Sequence, residues 1–293
     1  AIEKSRSSVV TVESDGSYYS GIIIAKEKET VHILTTTKAI KNGSPNVVFD
    51  SGVRVSSTIV GDDADSGLAV IQVTTNFEVK PFTILDTNAL AQGANVVVMS
   101  GRNLTTGSAV VSSGITSEPG VWRMSSTTTW LSSMLEMDTP ITSIQEGGAV
   151  IDLNGSLVGV VASQPYQGNS RMEYAITANE IKLIYNALKT NGKVVRGALG
   201  VVVRNVSSML AYEKSAHGIS IDMKTGLYVQ TVVEKPETGD GIQEGDIITM
   251  IDGIEMSSYQ DVLARLYMHS AGDTVNVSII RGGESKQIGV VLQ

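Results

Sequence analysis

At 293 residues, 42% of them apolar and 18% charged, the chain has room for two globular domains with cores of their own. A formal net charge of −8, with no run of Lys or Arg to form a basic face, argues against nucleic acid as a partner and favours solubility as the role of the charge. Cysteine is absent, which removes disulfides and thiol chemistry, and no apolar stretch approaches the ~18 residues of a membrane span.

Residues 8–160 read as short strands between turn signals. A β-branched run at 8–12 is followed by strands at 21–25 and 31–35, separated by a charged turn at 26–29. Further strands are predicted at 47–49, 53–60, 68–73, 96–100, 109–113 and 157–161, the last after the turn Asp152-Leu153-Asn154-Gly155. Many short strands at this spacing predict an all-β sandwich or barrel. One helix closes the region. Thr177 and Glu180 have the spacing of a capping box, Ile181, Ile184, Tyr185 and Leu188 make one apolar stripe, and Asn191-Gly192 ends it.

A second unit begins near Arg196-Gly197, so the predicted domains are 1–192 and 196–293. Its strands are predicted at 199–203, 227–233, 246–251, 274–281 and 286–292. A helix is predicted over 259–269, with Ser258 and Asp261 placed to cap it. Residues 207–225 read as an insertion able to cover a groove, with Met209, Leu210 and Tyr212 on a locally packed helix.

Several segments resemble, in the right order, those of the HtrA family of trypsin-like serine proteases. Ser20-Gly21-Ile22-Ile23-Ile24 is similar to the family's opening strand. Residues 33–40, 60–71, 90–101 and 113–117 are similar to its next motifs, and residues 146–155 to its nucleophile segment. Arg196-Gly197-Ala198-Leu199-Gly200-Val201 resembles the entry to the family's PDZ domain. Residues 226–233, 241–248 and 251–254 continue that likeness. The resemblance implies a mainly β fold: a chymotrypsin-like double β-barrel, two six-stranded barrels, followed by a small α/β PDZ domain.

In the same register the family's histidine falls on Lys38, its aspartate on Gly67 and its serine on Glu146. The resemblance therefore implies a pseudoprotease. A serine hydrolase needs a hydroxyl, a base beside it and a group that orients the base. A carboxylate attacking an amide would form a strained anhydride, and Gly67 orients nothing. The oxyanion loop departs as well: Ile144 stands where the family has glycine, next to Gln145. Gly147 and Gly148 are retained, and their plainest reading is a tight turn before a strand. Lys38 and Glu146 are expected to form an ion pair, against the plain alternative of two solvated charges. The enzymatic alternative is a Ser–Lys dyad of Ser143 and Lys38. His32, His217 and His269 read as packing or surface residues; His32 is placed on the strand leading to Lys38 and on the side of Leu34.

For the second unit the resemblance implies capture of protein or peptide C-termini, added as a strand to a sheet edge. The carboxylate loop falls on Ala198, Leu199, Gly200 and Val201, and the pocket on Leu263, Leu266 and Tyr267, with Tyr259 and Val262 read as core. No cofactor or metal is expected. The resemblance further implies a homotrimer or assembly with an active relative, in a bacterial extracytoplasmic setting. A signal or anchor is expected upstream of Ala1.

Overall fold

The β-branched runs of the first half become strands because their alternate residues pack inward while their backbones pair. The computed structural model describes residues 1–124, 131–161, 172–233, 241–266, 269 and 271–293. It divides into two units, residues 1–194 and 195–293.

In the first unit, α1 (Ile2–Ser5) leads into β1 (Val9–Ser14), β2 (Ser17–Glu27), β3 (Thr30–Thr36), α2 (Thr37–Ile40), β4 (Asn46–Val48), β5 (Arg54–Ser56), β6 (Thr58–Asp63) and β7 (Leu68–Thr74). These seven strands form one sheet in the order β5-β4-β1-β2-β3-β7-β6. Val12, Ile23, Ile33 and Ile71 fill its core. Next come β8 (Asn95–Arg102), β9 (Ala109–Met124), β10 (Leu131–Met137), β11 (Ala149–Ile151), β12 (Leu157–Val161) and β13 (Glu173–Thr177). They close a barrel in the order β10-β13-β12-β11-β8-β9 around Val98, Leu135, Val150 and Val158. Of the two six-stranded barrels expected, the second is present as a closed six-stranded barrel, while the first is a seven-stranded sheet in open order, because the short β4 and β5 extend it beyond β1.

Helix α3 (Ala178–Asn191) buries Ile181, Ile184 and Leu188 as its stripe predicts and ends on Gly192 at φ +70°. Its predicted capping box does not form. Buried Glu180 turns instead to β10 and accepts a hydrogen bond from the Ser133 N–H at 2.5 Å, and the Thr177 side chain makes no cap bond. The barrel end offers Glu180 a donor, and tertiary structure overrides the local motif. The strand predicted at 53–60 is broken at Ser57, whose N–H and Oγ both donate to the Pro45 carbonyl (3.2 and 2.6 Å). The strand predicted at 109–113 runs on to Met124, because β8 and then β10 pair along it. Lys38 is not on the strand of His32: β3 stops at Thr36 and Lys38 lies on α2.

The second unit contains β14 (Val201–Asn205), α4 (Ala211–Ala216), β15 (Leu227–Val232), β16 (Ile247–Ile251), β17 (Ile254–Glu255), α5 (Tyr259–Leu266), β18 (Thr274–Arg281) and β19 (Glu284–Val291). Its sheet has the order β14-β15-β16-β18-β19, with β17 beside β16. Strand alternation gives it two covered faces. Leu227, Val229, Ile248 and Val277 share a core with Val262 and Leu266 of α5. Ile247, Tyr228 and Ile280 face the other way, onto Val206, just past β14, and Met209 and Ile219 of the insertion. The insertion therefore covers the sheet face opposite α5 rather than the groove beside α5. Only Met209 packs as predicted; Leu210 and Tyr212 are exposed. The first strand starts at Val201, two residues later than predicted, because Ala198 pairs with Gln293 through both backbone hydrogen bonds (3.0 Å each). Helix α5 is described over Tyr259–Leu266, residues 267 and 268 of its predicted last turn lying outside the described residues, and its predicted cap is present: Asp261 accepts from the Ser257 and Ser258 N–H groups.

Candidate functional site

The antiparallel register of β3 with β7 sets Thr36 opposite Leu68. The turn into α2 then lies against the turn before β7, and the Thr37 N–H donates to the Gly67 carbonyl at 2.8 Å. Gly67 has φ +72°, a conformation that side-chain-bearing residues adopt at a cost. From the barrel, residues 143–145 form a single 3₁₀ turn that delivers Glu146 to the same place. There the Lys38 ammonium donates to Glu146 Oε2 at 2.8 Å, with the two side chains 48% and 23% exposed. The structure thus brings Lys38, Gly67 and Glu146 together, and the ion pair expected from the sequence is formed. Both long side chains are extended enough to meet, and each loses only part of its hydration in doing so.

The backbone N–H groups of Glu146, Gly147 and Gly148 are all engaged. That of Glu146 donates to the Ser143 carbonyl (3.2 Å), while the N–H groups of Gly147 and Gly148 donate to Val161 and Gln145 (3.1 and 2.8 Å). The tight-turn reading of the two glycines has a steric basis. Gly147 has φ +76°, and a Cβ there would stand 2.5 Å from the Ser20 carbonyl oxygen; at Gly148 it would stand 2.4 Å from that of Met99. Ser20 anchors the loop from the first sheet. Its N–H donates to the Glu146 carbonyl (3.0 Å) and its hydroxyl to the Ile144 carbonyl (2.5 Å). Gln145 anchors it from the barrel. Fully buried, it accepts from the Thr142 N–H (2.9 Å) and donates to Ser112 Oγ (3.1 Å). Neither role is signalled by local sequence patterning, apart from the placing of a polar residue, Ser20, beside an apolar strand run. Ser143 is exposed, and no hydrogen bond joins it to Lys38 among the described residues.

His32 is buried and makes a 2.7 Å hydrogen bond through Nδ1 with the Tyr185 hydroxyl of α3, away from Lys38. Burial holds its pKa below the usual imidazole range. His217 pairs with Tyr228 (2.8 Å), and His269 lies 3.2 Å from Asp252.

In the second unit β14 is a sheet edge, as strand addition requires. Gly200 precedes it at φ +67° and accepts from the Val233 N–H (2.8 Å). Leu199 and Val201 are half-buried against the core that Leu266 shares. Leu263 and Leu266 are 2% and 6% exposed, so both are more enclosed than open pocket lining would be. Tyr267 lies outside the described residues. At the far end of β14, Asn205 Oδ1 accepts from the Tyr259 N–H at 2.9 Å and clasps the start of α5 to the strand, a link that spacing alone does not signal. No cluster of candidate metal ligands is present among the described residues.

Comparison with known proteins matches residues 19–160 to the trypsin-like peptidase domain and residues 197–292 to the PDZ domain. The Lactobacillus helveticus serine protease Do-like HtrA is 28% identical over 282 residues, covering 94% of this chain and 68% of that protein. The corresponding Lactococcus lactis protein is 26% identical over 93% of this chain and 70% of its own length. A Staphylococcus aureus HtrA-like serine protease is 27% identical over 98% of this chain but only 40% of its own length. Among solved structures, the HtrA-type protease AlgW with a tripeptide superposes with a TM-score of 0.69 at 20% identity, covering 99% of this chain and 95% of that one. The serine endoprotease of Yersinia pestis gives 0.60 at 19% identity, covering 100% and 96%. The chain thus has a trypsin-like peptidase fold followed by a PDZ domain, and over nearly its whole length it is similar to serine proteases of the HtrA type.

Proposed function

We propose that this chain is a catalytically inactive HtrA-type protein that binds protein or peptide C-termini through its second unit and acts as a scaffold or regulator in protein quality control at the bacterial cell envelope. The observation that carries the reading is the Lys38–Glu146 ion pair where an imidazole and a hydroxyl would have to meet. A charged ammonium held by a carboxylate is no general base, and a paired carboxylate is no nucleophile for an amide. The Glu146 N–H, one of the donors an oxyanion would need, is taken by the Ser143 carbonyl. The Ser143–Lys38 alternative lacks support, since Lys38 donates to Glu146 and Ser143 does not bond it.

Peptide binding rests on the free edge of β14 and on the glycine turn that precedes it. An extracytoplasmic setting, with an anchor or signal upstream, and a homotrimer or assembly with an active relative follow from the HtrA likeness and belong to the same proposal. Among the described residues no helix is long and apolar enough to cross a membrane.

The test is degradation of casein by the purified chain beside its Ser143→Ala and Glu146→Ala variants. No turnover by any of them is expected. Turnover lost on changing Ser143 would establish the dyad and overturn the proposal.

A further inference from the structure

A cavity of about 100 Å³ lies in the first unit between the N-terminal segment, residues 80–83 and the turn before β12, and neither Lys38 nor Glu146 lines it. Bonds between distant parts of the chain fix its walls. The Phe82 N–H donates to the Ile23 carbonyl of β2 (3.0 Å), and the Leu157 N–H of β12 donates to the Thr83 carbonyl (2.8 Å). From α1, the Lys4 ammonium donates to the Asn154 carbonyl (2.9 Å) and the Ser5 hydroxyl to that of Gly155 (3.1 Å). Only glycine allows this approach: Gly155 has φ +84°, and a Cβ there would stand 2.8 Å from Ser5 Oγ.

The lining is cationic and rich in hydroxyls. Lys4 and Lys80 both line it, and neither forms an ion pair among the described residues, in a chain whose formal net charge is −8. Two carboxylates of the flanking segments are already engaged. Glu3 pairs with Arg6 (3.1 Å), and Asp152 accepts from the Asn154 and Ser156 N–H groups (2.9 and 2.8 Å). Ser8 lines the cavity, is only 2% exposed, and its hydroxyl makes no hydrogen bond among the described residues. A buried hydroxyl without a partner is a cost that a bound acceptor removes. Thr83 and Ser156 add a hydroxyl from each of the other two walls.

We propose that this cavity binds a phosphate group, as the free ion or as the end of a phosphate monoester. It is smaller than the ~300 Å³ at which pockets for larger organic ligands begin, so the enclosed part is one compact group. Donors on three walls call for acceptors in several directions, which a tetrahedral oxyanion supplies and a planar carboxylate does not. Lysine meets phosphate as a point charge and needs no fixed fork geometry to do so.

Calorimetric titration of the full chain with inorganic phosphate, at constant ionic strength with chloride as the balancing anion, tests the site. Saturable binding is expected. Lys80→Met and Ser8→Ala should each weaken it about tenfold, the scale of one hydrogen bond to a charged group. Lys224→Met removes an exposed charge from the second unit and should leave it unchanged. Lys80 is exposed and Ser8→Ala removes one atom, and melting curves without phosphate that match the parent's verify both folds. Phosphatidylcholine vesicles with and without phosphatidic acid distinguish the sources. Co-sedimentation that requires phosphatidic acid, is competed by inorganic phosphate and is lost in Lys80→Met assigns a lipid headgroup; any other vesicle result beside intact phosphate binding assigns a soluble phosphate. Absence of phosphate binding, binding unchanged in Lys80→Met or in Ser8→Ala, or equal weakening in Lys224→Met overturns the proposal.

Discussion

Gln145, itself fully buried, holds the turn before Glu146 from inside the barrel through part-buried bonds to the Thr142 N–H and the Ser112 hydroxyl. Gln145→Leu would strand the Thr142 N–H and the Ser112 hydroxyl, and is expected to destabilise the chain by about 1–3 kcal/mol in urea unfolding. The neighbouring ion pair behaves differently. Lys38 is half in water, so Lys38→Met should change stability by only about 0–1 kcal/mol in the same measurement. A larger loss would mean that the pair is structural rather than a vestige of the cleft. His32 carries a pH signature. Burial disfavours its charged form, so the folded state takes up the proton less readily than the unfolded chain, which titrates near 6.5. The stabilising contribution is therefore complete above the unfolded value and lost as pH falls through the depressed folded one. The urea midpoint should drop between neutral and mildly acid pH, and His32→Gln should flatten part of that slope.

Helix α3 shows how an element can be read correctly and still be held by something unread. Its apolar stripe and terminal glycine were legible because they obey helical periodicity within one segment. Its anchorage was not. Gly61 of β6 lets the helix end approach so closely that a Cβ there would lie 2.2 Å from the Gly192 carbonyl oxygen. Gly61→Ala must push β6 and the helix end apart, and a loss of about 1–3 kcal/mol is expected by denaturant titration. The capping box at Thr177 and Glu180 failed for a related reason: a buried carboxylate bonds the donor that tertiary packing puts beside it. Strands β10 and β13 went unpredicted because their pattern is weak and their partners supply the order.

Among the described residues, the core clusters of the first unit share no residue with those of the second. A lesion confined to one core therefore has a distinguishable outcome. Asp246, 1% exposed, accepts both arms of Arg281 (2.8 and 2.9 Å) and the Gln243 N–H, which fastens residues 241–246 to β18. Arg281→Met would leave this carboxylate buried without its counter-charge, at a cost of about 3–5 kcal/mol. Scanning calorimetry should show one transition moved down and the other in place; a single transition moving as a whole would refute independent unfolding.

The sequence by itself determined the fold class, the order of the units and which residues stand at Lys38, Gly67 and Glu146, because strand alternation, turn glycines and ordered motifs are local properties of the chain. Tertiary structure alone decided that Lys38 meets Glu146, that Ser20 and Gln145 lock the loop between them, and that the 207–225 insertion backs the sheet instead of covering the groove. Each depends on segments far apart in the chain arriving at one place, and hydrogen-bond partners and packing faces are chosen there by proximity rather than by sequence spacing.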